Sequence, residues 1–466
     1  MRRIACLRII IATMSLFKTL RCPSMAAFLS AILVTTSAMA ASGMEQAPQP
    51  AHSFTLMELT DLALNNNPQT KLAWDSIRES QAGVELARAG YWPLITADYS
   101  YTRSRTVNFS GQSNSAQNRY GPGISLSYLL WDFGTRSGTL DSAKYTLAAA
   151  ELSNSQTLQD VILAVEQNYY QVLGLQALVQ ADELNAQDAE TNLDAVHQNQ
   201  KSGLATIGDV YTAQAALAST ELALQTAQGQ LAVAQGQLAV SVGFSADTLL
   251  PLAPWETHVK AEMPRSSVQQ LLQQARQARP ELLASKAGGQ AAIASLEAIR
   301  GQGWPTLSLA ASGGRLNTVS GGGPTTVADN YSAGLTLSFP LFAGFGDQAA
   351  NHKAEAEVDI AQATTVQLQQ TVELEVWQAY QNLHTAAVTL TTTDTQLKSA
   401  QQAEDAETAR YHIGLDPILN LLIAQQTLAN ARVQQVQARL SWFTALAALG
   451  HAVGGLNEPT EATELP

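Results

Sequence analysis

The chain has 466 residues, 26 basic and 39 acidic, for a formal net charge of −13. A hydrophobic share of 46% excludes wholesale disorder. A mean hydropathy of −0.04 argues against a bundle of membrane-spanning helices. The acidic balance gives no electrostatic reason to bind nucleic acid.

Residues 1–40 stand apart. Arg2, Arg3, Arg8, Lys18 and Arg21 are basic and no acid accompanies them. An apolar stretch runs from Met25 to Val34, and Ala38-Met39-Ala40 supplies an A-x-A cleavage signal. The segment reads as a secretory signal peptide cut after Ala40, with Met1 or Met25 as the start. Its apolar run is short for a membrane anchor, the competing reading. Both cysteines, Cys6 and Cys22, lie within it, so the exported chain is acidic and free of thiols. Residues 41–54 then form an N-terminal linker.

The remainder is written twice. Thr55-x-x-Glu58 and Ser267-x-x-Gln270 are helix-opening capping boxes 212 residues apart. Pro68 and Pro280 keep that offset, as do Trp92-Pro93 and Trp304-Pro305. Tyr120 pairs with Tyr331, Trp131 with Phe342, Gly203-Leu204 with Gly414-Leu415 and Ala213-Gln214 with Ala424-Gln425, each at 211. The YQVL ending at Leu173 pairs with the YQNL ending at Leu383 at 210. The expected copies are residues 55–243 and 265–455. A proline-containing linker at 244–264 joins them, and a disordered tail follows at 456–466.

Each copy opens with a helix, at about 56–90 and 268–301, which the Trp-Pro dipeptide ends. Period-two alternation follows, with Ile95, Ala97, Tyr99 and Tyr101 interleaved with Thr96, Asp98, Ser100 and Thr102. The pattern predicts strands at about 94–106 and 122–132 around a polar loop at 107–121. In the second copy it predicts strands at 306–316 and 332–342 around a loop at 317–331. Long proline-free stretches then predict helical hairpins over 138–242, with a tip at 201–206, and over 347–449, with a tip at 412–417. Leu158, Val161, Val165, Val172, Leu175 and Val179 follow 3-4 heptad spacing, the mark of a coiled-coil seam. The heptad AQGQLAV at 227–233 is repeated intact at 234–240.

Four strands with one apolar and one polar face, and aromatic residues near their ends, suit a transmembrane β-barrel. Four strands cannot close one, and open strand edges do not survive in lipid. Either the sheet is soluble or several chains share a barrel; three would give twelve strands.

With its signal peptide, doubled helix–strand–strand–hairpin unit, NP and WP landmarks and two Gly-Leu turns, the chain resembles the TolC-type outer-membrane efflux ducts over nearly its whole exported length. The fold class expected is therefore mainly α with a transmembrane β portion. The resemblance implies a homotrimer with a twelve-stranded barrel in outer-membrane lipid and an α-helical tunnel across the periplasm. It implies a passive, non-enzymatic duct without cofactors. A periplasmic adaptor (membrane fusion protein) and an inner-membrane transporter of the RND or ABC type would feed it.

The resemblance also assigns roles. Gly203 and Leu204, and Gly414 and Leu415, match the family's adaptor-docking tips; each glycine also reads as an ordinary helix C-cap. Asp209 and Tyr411 match the Asp and Tyr that link neighbouring hairpins at the gate, through a charge-assisted bond. Asp416 stands where the family has a linking Arg, and Arg410 is the substitute cation. The family's two entrance Asp positions fall on Asn420 and Ile423. Asp416, repeated around a trimer, would supply negative potential instead. Asp209, Tyr411 and Asp416 equally suit solvated helix ends.

Catalysis finds no support. The seven histidines are dispersed, and H-E-x-x-H, G-x-S-x-G and P-loop patterns are absent from the sequence. Gly321–Gly323 reads as a surface loop. The favoured function is efflux of small molecules. The alternatives are a duct for type I protein secretion and a periplasmic adaptor, whose single hairpin and small β-domains fit this chain poorly. A coiled-coil adhesin would not be duplicated, and a plain porin would not be mostly helical.

Overall fold

The computed structural model describes residues 53–105, 116–253, 263–321 and 323–455. The expected signal peptide, its cleavage site and the tail lie outside them, as do most of the N-terminal linker and part of the inter-repeat linker. In the first repeat, helices α1 (Leu56–Asn66) and α2 (Pro68–Ala89) precede strands β1 (Leu94–Ser104) and β2 (Gln117–Trp131). The long helix α3 (Thr135–Lys201) and its return α4 (Ile207–Val242) follow. In the second repeat, α5 (Val268–Ala278) and α6 (Pro280–Gln302) precede β3 (Thr306–Ser320) and β4 (Thr326–Ser338), then α7 (Gly346–His412) and α8 (Ile418–Ala452).

Three expectations are corrected. The opening helix of each copy is two helices, because Asn67 and Arg279 take extended backbone and Pro68 and Pro280 begin new helices at N1. Strand β2 starts at Gln117, inside the expected loop, and β3 runs on to Ser320 with β4 starting at Thr326. The polar residues there suit a loop by sequence, but each has a ladder partner: Gln117 pairs with Ser104 on one side and Ser320 on the other. Strand β4 ends at Ser338, four residues early, just before Pro340, which has no N–H to donate.

The sheet is antiparallel in the order β1-β2-β3-β4, so β1 and β4 are open edges within one chain. Rows across it sort by chemistry. Ile95, Leu126, Ala311 and Ala333 share one row and face; Thr96, Ser125, Ser312 and Ser332 share the adjacent row on the other face. At both strand-to-helix corners a phenylalanine adopts left-handed backbone, Phe133 (φ 50°) and Phe345 (φ 64°). This is a costly conformation for a bulky side chain. Phe133 is held by stacking on Trp304 at 5.6 Å and an edge contact with Trp131 at 6.1 Å. Arg136 straps this corner: it donates to Asp132 at 2.9 Å, to the Leu129 carbonyl at 2.7 Å and to the Gly90 carbonyl at 3.2 Å.

At 67 residues each, α3 and α7 extend about 100 Å. Two apolar clusters hold the hairpins to the short helices. One joins Leu59 and Ala63 to Val161, Val165, Val172, Leu238 and Val242. The other joins Leu271 and Ala275 to Val372, Val376, Leu383, Leu449 and Val453. These positions correspond one to one at offsets of 212 and 211, so the repeats share a core as well as landmarks. The core sets Val172 against Leu383, at 211, one residue from the YQVL alignment. At Gly138 a Cβ would lie 2.6 Å from the Ala298 nitrogen. That glycine lets α3 and α6, from different repeats, cross at backbone contact.

Candidate functional site: the hairpin tips

Both hairpins turn by the same device. Gly203 (φ 77°) and Gly414 (φ 76°) occupy the left-handed position after the helix. Leu204 donates to the Asn199 carbonyl at 2.8 Å and Gly203 to Gln200 at 3.1 Å; Leu415 donates to Arg410 at 3.0 Å and Gly414 to Tyr411 at 3.0 Å. These paired bonds form the Schellman motif, in which the residue after the glycine ordinarily packs on an apolar residue in the last helical turn. Here that partner position is Asn199 or Arg410. The leucines are therefore left in the open, Leu204 81% exposed and Leu415 69%. Ile413 is 71% exposed beside them. Space does not demand the glycines, since a Cβ at either would meet nothing within 4 Å; backbone conformation does.

The gate candidates are placed as follows. Asp209 closes a capping box at the start of α4, accepting from the Thr206 N–H at 2.7 Å and its hydroxyl at 2.8 Å. The Tyr411 phenol accepts instead from Asn199 Nδ2 at 3.1 Å. Within one protomer Tyr411 of α7 thus reaches α3 of the other hairpin, while Asp209 Oδ2 serves the cap of its own helix. Arg410 and Asp416 form a close ion pair, and Asp416 also accepts from Asn420 at 3.5 Å. Asp416 is thus neutralised by the cation six residues before it. Val196, Val210, Ala213 and Ile418 pack beneath the tips with Tyr411 against them, joining the two hairpins.

A ladder that sequence reasoning missed continues this junction upward between α3 and α8. Asn192 donates to Gln425 at 3.2 Å. Arg432 donates to Asn185 at 2.7 Å and to Asp188 at 2.9 Å. His451 Nε2 meets Asp160 at 2.7 Å. Asn185, Asn192 and Asn199 recur every seven residues on α3, and Arg432 and Gln425 do so on α8. That periodicity was the available signal. Higher on α3, burial pushes Glu166 up to about 7. Tyr170, one turn on, stacks on Phe443 of α8 at 4.7 Å. The ladder also borders a cleft of about 580 Å³ lined by Leu184, Lys398, Arg432 and Gln435. Among the described residues, His, Cys, Asp and Glu form no group able to hold a metal ion, and no helix is long and apolar enough to cross a membrane.

A four-stranded sheet with one apolar face, set on two long helical hairpins with exposed apolar tips, is the protomer of an outer-membrane channel. The outer membrane efflux protein family model matches residues 59–243 and again 271–455, and the chain belongs to that family. Among curated relatives, Protein CyaE of Bordetella pertussis is 29% identical over 89% of this chain and 87% of its own. The pyoverdine export outer membrane protein OpmQ of Pseudomonas aeruginosa is 27% identical over 86% of this chain and 85% of its own. Among solved structures, the outer membrane protein VceC of Vibrio cholerae has the same fold, with a TM-score of 0.74 and 22% identity, over 86% of this chain and 96% of that one. Members of the family are trimeric channels of the outer membrane that work with adaptors and inner-membrane transporters. This chain is accordingly an efflux channel and not an enzyme.

Proposed function

We propose that three copies of this chain, exported by a signal peptide cut near Ala40, form a passive duct for small molecules. A periplasmic adaptor hands cargo to the tips, and an inner-membrane transporter of the RND or ABC type supplies the energy. The observation that carries docking is the pair of Schellman turns with their leucines unpacked. Two exposed apolar side chains at equivalent positions suit the groove of an adaptor hairpin. Three chains would present six such points. Asn199–Tyr411 and Arg410–Asp416 are the side-chain contacts that hold the tips in the state described, with Asp209 fixing the start of the return helix. Export of a small molecule is favoured because relatives carry names such as pyoverdine export and antibiotic efflux pump outer membrane proteins.

A photocrosslinking amino acid at Leu204 and Leu415 tests the reading in living cells. Capture of an adaptor whose pump is proton-driven supports small-molecule efflux. Capture of one paired with an ABC protein exporter moves the assignment to type I secretion. If trimer is present and no adaptor is captured from either position, docking through the leucines is wrong.

A further inference from the structure

The strand register orders the barrel-lining charges in a way that the tips do not explain. On the face opposite Ile95, Leu126 and Leu309, successive rows run from the helical end to the hairpin turns. The first full row, Leu94, Ser127, Ala310 and Gly334, carries no charge, and the second is hydroxyl throughout: Thr96 bonds Ser125 at 2.6 Å and Ser312 bonds Ser332 at 2.9 Å. The row one step on, two residues along each strand, is Asp98, Gly123, Gly314 and Asn330. A Cβ on Gly123 would lie 3.1 Å from Asp98 Oδ1, so the carboxylate lies over a bare backbone. Two rows further, Arg119 stands among Thr102, Thr318 and Thr326 and donates to Gln117 at 3.1 Å. The other charged residues of the four strands, Arg103, Arg315 and Asp329, fall on the apolar face, where Arg315 and Asp329 pair at 2.7 Å. Asp98 and Arg119 are thus the two charged side chains on the polar face of the described strands.

We propose that Asp98 and Arg119 make the barrel a charge-ordered exit, with a threefold anionic ring at mid-barrel and a threefold cationic ring nearer the outer mouth. This rests on the reading that three chains close the barrel. The rings are four residues apart along the strand, about 13 Å, or about 10 Å along the axis of a tilted barrel. That spacing is comparable to the Debye length of about 10 Å at 0.1 M salt, so each ring sets the potential at its own level. Gly123 and Gly314, between them, leave Asp98 and Asn330 as the only side chains in their row. A cationic solute is favoured past Asp98, and an anionic one is favoured at the Arg119 level. The two rings then discriminate by charge after cargo has left the tunnel.

The exported chain has no cysteine, so single reporters are clean. Ser332→Cys sits beside the Asp98 row and Thr318→Cys beside Arg119. Trimers in outer-membrane vesicles are treated with cationic and anionic methanethiosulfonate reagents in turn. The cationic reagent reacts faster at 332, by about fivefold at low salt, and the anionic reagent faster at 318. D98N abolishes the preference at 332 and leaves that at 318, R119Q does the reverse, and 1 M salt flattens both without any change to either ring. Equal ratios at the two reporters, or a ratio at 332 indifferent to both D98N and salt, would overturn the proposal. An unreactive cysteine at 332 with a reactive one at Ala333→Cys would reverse the faces of the sheet and refute the barrel reading beneath it.

Discussion

The two hairpin tips share a backbone and differ in what secures it. The first is closed by a local cap, in which Thr206 and Asp209 satisfy each other across one helical turn. The second has Pro417 at the N-cap of α8, with no side-chain cap bond, and relies on the ion pair of Arg410 and Asp416. The same contrast recurs where the short helices break. Asn67 caps α2 and donates to the Ser241 carbonyl at 2.9 Å. Its counterpart Arg279, 5% exposed, pairs with Glu281, with Glu375 at 2.6 Å, and with the His451 carbonyl at 3.2 Å. The two copies share the turns, the breaks and the apolar core, but at these two places the first copy uses side-chain caps and the second uses ion pairs.

The sharpest way to break this comparison is at the helix breaks. Arg279→Ala leaves two carboxylates beside a buried gap and is expected to cost about 3–5 kcal/mol, whereas Asn67→Ala costs about 1–2 kcal/mol. Denaturant unfolding in detergent would compare them, and equal losses would remove the distinction between the repeats.

Glu166 comes next. Its acid is raised from 4.5 to about 7 by burial, so the fold favours the neutral form. The penalty is absent below about pH 4.5, grows between pH 4.5 and 7, and is complete above. Glu166→Gln therefore stabilises by up to about 3 kcal/mol at pH 8 and by little at pH 4. A pH series of unfolding midpoints for the two proteins would show the curves converging at low pH.

Arg432→Gln cuts the ladder between α3 and α8 where two bonds meet, at about 2 kcal/mol. Hydrogen exchange of α8 below this point should quicken, while the stretch around Phe443 stays protected.

The smallest effects belong to the tips. Thr206→Ala costs about 1 kcal/mol at the first tip, and Arg410→Gln less than about 1 kcal/mol at the second, because that guanidinium is half exposed. Added salt should shrink the second effect and leave the first.

Much of this architecture was legible because it repeats. Offsets of 211 and 212 survive in proline, glycine and capping residues whose local roles do not depend on distant partners. The alternation of Ile95 to Thr102 carried both the strand and its faces, and heptad spacing carried the long helices. The misreadings were of another kind. Gln117 to Tyr120 resemble a loop until the neighbouring strands supply ladder partners. The helix expected over 56–90 runs through Pro68, which instead opens a second helix. The ladder through Asn185, Asn192 and Arg432 joins residues more than 230 positions apart; the seven-residue recurrence of the asparagines marks a face of α3, but nothing local names α8 as its partner. Likewise, Asn199 as the partner of Tyr411 lies 212 positions away and has no local signal.

The open edges of β1 and β4 are the feature on which everything else depends, because a sheet in lipid with two free edges must be closed by other copies. Native mass spectrometry of the protein extracted from outer membranes in detergent tests this directly. An assembly of three chains is expected. A stable single chain, or an even-numbered assembly, would contradict it.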